Sequence, residues 1–376
     1  MILRVPDYYE EFSCIAGDCR HSCCIGWEID IDEDTYAYYK SIGGALGERL
    51  ATYMYMTEDN EHSFQLESNG YCPFLNKDRL CDICIALGEE ALSEVCTEYP
   101  RFSIEYGNVL QKCLSLSCEE VGRILFFKDA PVQIVDHYMP DDTSDADEPE
   151  DEWIPAMEQM QKQAIALLQD RSRDIWTRMR EYLLPICEDA CDAKVENDSG
   201  GIVENAHGFR NGEETGKAEK TVEGQAYQDF KARYQTFAEM ETLDEEWEIV
   251  KAQMEEHYTA ETYAAILQQY LQSPAYRESD YEQLMVYFTF RYLMNAVYDY
   301  DAASYRKLAV VFTLFIRDMD ALRYHLNGGC YTRDDRVDVV RIFSKEVEHS
   351  EENIELAREA FLFEEVYETK RLMRQI

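Results

Sequence analysis

The sequence predicts a mainly α-helical protein in which a small cysteine-rich α+β module, built to bind a metal or cluster, precedes an all-α domain. Three observations carry that prediction. Ten of the 13 cysteines lie before residue 119. After residue 152, large apolar residues recur at three- and four-residue intervals, the period of amphipathic helices. Between the two regions, residues 141–152 form an acidic run almost without apolar groups, as in a solvated linker. The divisions are therefore 1–135 for the cysteine-rich module, 141–152 for the linker and 153–376 for the helical domain.

In chain order, Trp27 to Ile31 alternates like a short strand, and Asp32 or Asp34 can cap a helix carrying Tyr36, Tyr38 and Tyr39. Gly70 to Leu75 leads into a polar turn at Asn76–Arg79, which brings Cys72 towards Cys81. A helix is expected from Gly88 to Cys96, ending before Pro100. Phe102, Ile104 and Tyr106, then Gly107-Asn108, then Val109 and Leu110 predict a hairpin. Ser117-Cys-Glu-Glu120 has the form of a capping box opening a helix through Val121 and Phe126.

In the second domain, stripes at Trp153–Leu168 and Ile175–Leu183 predict two helices. Residues 192–225 are poor in large apolar groups and read as a mobile insertion. Tyr227–Met240 and Trp247–Met254 predict two more helices, and Ser273-Pro274 ends the one after them. Leu284 to Tyr300 is apolar on nearly all sides, as a central buried helix would be. Leu308–Met319, ended by Gly328-Gly329, and two further stripes around 337–347 and 354–372 complete the domain.

Charge narrows the partners. Asp and Glu outnumber Lys and Arg by 76 to 36, a net charge of -40. Nucleic acid and anionic membrane carry the same sign, so neither is expected as a partner, whereas a basic or neutral protein is. The first residues lack the apolar core of a signal peptide, and no apolar run approaches the roughly 18 residues of a membrane span, so the expected location is cytoplasmic. Cytoplasmic thiols stay reduced, which favours metal ligation over disulfides.

Cys14, Cys19, Cys23 and Cys24 fall within eleven positions. Thiolates bind zinc or iron–sulfur clusters, and this spacing is irregular for zinc, whose sites pair C-x2-C motifs. Adjacent residues rarely aim both sulfurs at one tetrahedral centre, so Cys23 and Cys24 are candidates for different centres. No G-x-G-x-x-G, P-loop, H-E-x-x-H or C-x3-C-x2-C motif is present. His21 reads first as an exposed loop residue, and Cys187-x3-Cys191 as a chance helical pair.

Four ordered motifs in the first third of the chain resemble the flagellin lysine N-methylase family. They are Pro6-x-Tyr8-x3-Phe12-x-Cys14-x4-Cys19-x3-Cys23-Cys24-x-Gly26-Trp27, Cys72-Pro-Phe-Leu75-x5-Cys81-x-Ile83, Leu87-Gly-Glu-Glu-x-Leu92-Ser-x2-Cys96-x2-Tyr99-Pro-Arg101 and Leu114-Ser-Leu-Ser-Cys118. The resemblance implies methyl transfer from S-adenosylmethionine to lysine ε-amino groups of flagellin or a similar protein. It also implies dependence on an iron–sulfur cluster, [4Fe-4S] in type, with zinc as the alternative metal. Carried over position by position, the implied ligands are Cys14, Cys19, Cys23, Cys24, Cys72, Cys81, Cys96 and Cys118. Eight thiols exceed the four that one cluster needs, which implies two centres or some structural thiols. Cys14, Cys72, Cys81 and Cys96 are then expected within ligand reach of at least one thiol of Cys19–Cys24. A second reading, of a different class, is a non-catalytic zinc-binding interaction protein whose helical domain holds a partner.

Overall fold

The computed structural model describes residues 1–26, 29–57, 60–139, 153–191 and 215–376, with side chains omitted at 185–191 and 215–223. Trp27, the acidic run 141–152, residues 192–214 of the expected insertion and the side chains of Cys187 and Cys191 lie outside that description. The described chain is mainly helical, with its strands in the N-terminal region. It divides into two compact units. Unit one comprises Met1–Glu148, Thr242–Glu248 and Arg336–His349, and unit two comprises Pro149–Glu241, Ile249–Asp335 and Ser350–Ile376.

Unit one holds two sheets. Strands β1 (Ile2–Pro6), β2 (Asp30–Ile31), β3 (Met54–Met56), β4 (His62–Phe64), β5 (Arg101–Tyr106), β6 (Val109–Leu114) and β7 (Ile134–Tyr138) pair in the orders β5-β6-β1-β7 and β2-β4-β3. The predicted hairpin is β5–β6, with Tyr106 opposite Val109. The N-terminal residues are themselves a strand, parallel to β6 with Ile2 opposite Val109 and antiparallel to β7. Helices α1 (Glu33–Ser41), α2 (Gly44–Tyr53), α3 (Asp82–Leu87), α4 (Glu94–Glu98) and α5 (Glu119–Phe126) fill the rest. Asp32 caps α1 by accepting from the Thr35 amide at 2.9 Å.

Two local expectations are corrected. The helix expected from Gly88 to Cys96 does not form as one element: Gly88, at φ +95°, is left-handed and closes the preceding α3, a 3-10 turn follows at Glu89–Ala91, and α4 starts only at Glu94. The capping box does not form either. The N-cap of α5 is Cys118, and the Ser117 hydroxyl is instead within 2.8 Å of both Ser115 Oγ and His349 Nε2.

The rest of the described chain is helical: α6 (Trp153–Leu168), α7 (Ile175–Cys191), α8 (Thr215–Ala238), α9 (Glu245–His257), α10 (Tyr263–Leu271), α11 (Glu278–Tyr292), α12 (Ala296–Asp299), α13 (Ala302–Leu326), α14 (Arg333–Val347), α15 (Glu351–Phe363) and α16 (Thr369–Gln375). The first turns of α9 and most of α14 belong to unit one. Helix α8 begins at Thr215, inside the stretch read as a mobile insertion. The expected central helix is real but shorter, since a 3-10 turn at Leu293–Asn295 separates α11 from α12. Both α11 from Asp280 to Tyr292 and α13 from Ser304 to Leu322 are buried on every side, which makes them the inner pair. Two of their buried carboxylates are paired with arginines: Glu282 receives Arg171 and Arg178, and Asp318 receives Arg233. Among the described residues no helix is long and apolar enough to cross a membrane.

Candidate metal centre

All eight implied ligands lie in unit one and carry free thiols. Four short elements bring some of them together. The Cys72 amide donates to the Cys24 carbonyl at 2.8 Å, and Gly26 donates to Gly70 at 2.9 Å, so the first cysteine loop is stitched to the segment before the second. Gly26 takes φ +85°, and a Cβ there would lie 2.7 Å from Asp244 Oδ2 and 2.8 Å from Lys345 Nζ. That lysine in turn donates to the Ile25 carbonyl at 3.0 Å. The predicted turn then folds Cys72 back on Cys81 through an Asn76 amide to Leu80 carbonyl bond and a Leu75–Cys81 bridge. Helix α4, which carries Cys96, is held at its start by the Glu94 amide donating to Asp32 Oδ2 at 3.0 Å.

The result is a tight set. Cys24, Cys72, Cys81 and Cys96 are each close enough to the other three that charge on one opposes charge on the next. Buried Tyr39, whose hydroxyl donates to the Ala91 carbonyl at 2.7 Å, lies beside Cys72, Cys81 and Cys96. Burial pushes Cys72 up to about 12 and raises Cys81, and the crowding of protein around the thiol of Cys96, a residue otherwise exposed, pushes it up to about 11. Cys24 goes the other way, down to about 7, because the Cys23 S–H donates to its sulfur and the Ser22 hydroxyl assists.

Cys14, Cys19 and Cys118 form another neighbourhood, again mutually opposed in charge. Cys23 lies near Cys14 and Cys96, and the half-buried Tyr99 is close to Cys118, Cys23 and Cys19. The lock here is Glu119, the residue after Cys118 and only 1% exposed. Its carboxylate accepts from the Arg20 amide at 3.0 Å and Arg20 Nε at 2.8 Å, and the Cys19 thiol lies 3.9 Å away. Glu119→Ala is expected to cost about 1 to 3 kcal/mol, because it leaves those donors without their acceptor. Urea unfolding of the variant measures it, and a loss below a few tenths would show that the lock carries no stability.

The donor chemistry fits a thiophilic metal. Peptide N–H groups point at three of the sulfurs: Phe74 at Cys72, Ile83 and Cys84 at Cys81, and Glu120 and Val121 at Cys118. Such donors favour the thiolate, the form that binds metal, but burial outweighs them and leaves all three thiols raised, Cys118 up to about 12. Cys81 and Cys118 are moreover the N-cap residues of α3 and α5. Among the described residues no three sulfurs lie within 4.8 Å of one another. That spacing is wider than the roughly 3.8 Å edge of a zinc tetrahedron with 2.3 Å bonds.

Of the other cysteines, Cys113 is buried in β6 opposite Phe102 and behaves as a small apolar residue, while Cys84 is near both Cys81 and Cys14. His21 is half-buried rather than exposed, with Nε2 3.4 Å from Asp338 Oδ1. His21, Glu246 and Asp338 cluster closely enough to suggest a cation site. Arg341 already fills it, reaching Glu246 at 2.8 and 2.9 Å and Asp338 at 2.8 Å. Burial and Arg341 hold the His21 imidazole below its usual pKa, so it tethers the cysteine loop as a neutral group. Sequence reading missed Glu119, Lys345 and Arg341, since their partners are remote along the chain.

Comparison with known proteins points to one chemistry. Residues 161–374 match the family model described as the FliB lysine N-methylase C-terminal domain. Over 131 residues the chain is 35% identical to the lysine-N-methylases of Salmonella typhimurium and Salmonella choleraesuis, a stretch that covers 33% of this chain and 33% of each relative. The flagellar biosynthetic protein FliU of Salmonella muenchen is likewise 35% identical over 131 residues, which cover 33% of this chain and 78% of that protein. The matched stretch thus spans a third of the length of the curated lysine-N-methylases. No solved structure matches the chain.

Proposed function

The chain belongs to the FliB lysine N-methylase family, and from that membership we propose that it is a cytoplasmic protein-lysine N-methyltransferase. The donor in this reading is S-adenosylmethionine, and the acceptor is a lysine of flagellin or a similar protein. The family match over 161–374 is the observation that carries it. The reaction joins a carbon of the methyl sulfonium to a neutral ε-amine and releases S-adenosylhomocysteine and a proton. A protein of net charge -40 draws in a lysine-bearing partner by its sign alone.

The cofactor reading is an iron–sulfur centre held by thiols of Cys14, Cys19, Cys23, Cys24, Cys72, Cys81, Cys96 and Cys118. Bound there, it supplies a Lewis-acidic or electron-donating iron that protein side chains lack. The chain's own part is to hold the thiols in place: backbone N–H groups aim at Cys72, Cys81 and Cys118, partly offsetting the burial that raises all three, and Cys23 donates to Cys24. Glu119 and Tyr39 hold the cysteine segments in place.

The test is direct. Anaerobically purified, iron-loaded protein is titrated with S-adenosylmethionine and then given flagellin. Donor at about 100 times its Kd is expected to stabilise the fold by about 2.7 kcal/mol, seen as a raised Tm. Methyl-lysine should appear in the flagellin by mass spectrometry. Iron-loaded protein that fails to bind S-adenosylmethionine overturns the methylase reading, and protein that takes up zinc alone overturns the iron–sulfur part.

A further inference from the structure

We propose that His349 is the positioning residue for Cys118: its imidazole grips both serines of the Leu114-Ser-Leu-Ser-Cys118 motif and so sets where that thiol stands. The proposal rests on the thiol-centre reading above for what Cys118 does, and not on methyl transfer.

The grip is a knot of polar groups. His349 Nε2 is 2.8 Å from Ser117 Oγ and 3.1 Å from Ser115 Oγ, and the two hydroxyls are 2.8 Å apart. Ser344 Oγ reaches Ser115 Oγ at 3.3 Å, and the Tyr99 hydroxyl reaches Ser117 Oγ at 3.2 Å. All three serines are buried, so water does not compete for their hydroxyls. The imidazole is held in turn by ring contacts, with Phe102 at 5.2 Å and Tyr99 at 6.2 Å between centroids. With Nε2 as the acceptor, Ser117 donates to it and accepts from Ser115 and Tyr99, so one nitrogen orders three hydroxyls. A buried network of satisfied hydroxyls rigidifies the residues that carry it.

The motif explains why the grip reaches the thiol. Leu114 and Leu116 are buried in the core, while the serines that alternate with them go to His349. Residues 115–118 then form one turn. The Ser115 amide donates to the Pro100 carbonyl at 2.6 Å, the Ser117 amide to Ser115 Oγ at 3.2 Å and the Cys118 amide to the Ser115 carbonyl at 3.2 Å. Cys118 closes that turn and is the N-cap of α5. It stands between two residues with remote partners: Ser117 meets His349, 232 positions away, and Glu119 meets Arg20, 99 positions away. Glu119 fastens the Cys19–Arg20 segment, and His349 fastens the turn that carries Cys118. Groups that orient a metal ligand from behind are worth about 10- to 100-fold in metal affinity.

Thiol labelling and metal affinity test it in the full-length protein. Metal-free wild type, His349→Ala, His349→Gln and Ser117→Ala are pulse-alkylated under native conditions and mapped by mass spectrometry. Cys118 should label about five- to tenfold faster in the two alanine variants than in wild type, the change expected when one or two hydrogen bonds leave a folded turn. Cys72, anchored instead on the Cys24 carbonyl, should keep its wild-type rate. Zinc affinity, read by competition with a chromogenic chelator, should fall about 10- to 100-fold in His349→Ala. In His349→Gln, whose side-chain amide can take the place of Nε2, both readouts should return towards wild type. Unchanged Cys118 labelling in both alanine variants overturns the proposal, and so does an equal rise at Cys72 and Cys118, which marks general loosening. Ser117→Ala removes a single oxygen and decides the matter if His349→Ala does not fold. Faster Cys118 labelling with unchanged zinc affinity would keep His349 as the residue that places Cys118 and remove Cys118 from the ligand set. Wild type that takes up neither zinc nor iron overturns the thiol-centre reading, and the labelling still decides whether His349 places Cys118.

Discussion

Asp318→Ala is expected to destabilise the protein by about 3 to 5 kcal/mol, the range for removing one partner from a buried ion pair. Asp318 is fully buried on α13. Its carboxylate is 3.1 Å from Arg233 Nε, accepts from the Tyr263 hydroxyl at 3.0 Å and lies 3.4 Å from Arg317 Nη2. Arg233 is itself only 1% exposed, so truncation leaves a guanidinium in the core without its counter-charge. Tyr258 donates to the Asp318 backbone carbonyl at 2.6 Å, so that contact survives the change. The cost therefore belongs to the side chain. Equilibrium unfolding in urea measures it, with Asp318→Asn falling between wild type and alanine. Replacing both members, as in Asp318→Leu with Arg233→Met, is expected to recover much of the loss, because no charge is then stranded. A loss for Asp318→Ala below about 1 kcal/mol would match an exposed pair and contradict the burial described here.

The helices that carry this pair were legible wherever burial imposed a period. The stripes at Trp153–Leu168, Ile175–Leu183 and Leu308–Met319 are helices α6, α7 and α13, because each buries one side or more of a regular 3.6-residue spiral. Partnering was not legible. That Arg233 meets Asp318, 85 positions away, has no local signature. The same reason undid the capping box: Ser117 has the right residue type and spacing, but His349 competes for its hydroxyl from 232 positions away. Gly88 shows the converse, a local signal passed over, since a glycine between two short apolar segments marks a helix end. In the thiol region, sequence supplied the ligand types and the oddity of Cys23-Cys24. Which thiols neighbour which depends on backbone pairings such as Cys24 with Cys72 and on the Glu119 lock, neither of which has a spacing rule.

If the thiol region holds the proposed metal, removing it is expected to have the largest effect on the chain. The core beneath the Cys24, Cys72, Cys81 and Cys96 set is small, centred on Ile29, Ile31, Tyr39, Leu50, Phe64, Phe74 and Ile83. Helices α3 and α4 beside it have 6 and 5 residues, with no side-chain cap on either. Helices that short do not stand in water without tertiary support. In the proposed thiol-centre reading a metal held by these thiolates would supply that support, roughly 10 to 16 kcal/mol by analogy with a structural zinc site. That exceeds most of the roughly 5 to 15 kcal/mol by which a whole domain is stable. Chelation or acid-free extraction of the metal should therefore abolish amide-exchange protection across Cys72–Glu98. The β5–β6 hairpin, tied through β6 to β1, which β7 flanks on its other side, should keep its protection, and so should α11 and α13 in the other unit. Reloading the metal should restore the lost protection. Equal protection of Cys72–Glu98 with and without metal would mean that this small core stands unaided, and the thiols would then contribute nothing to its stability.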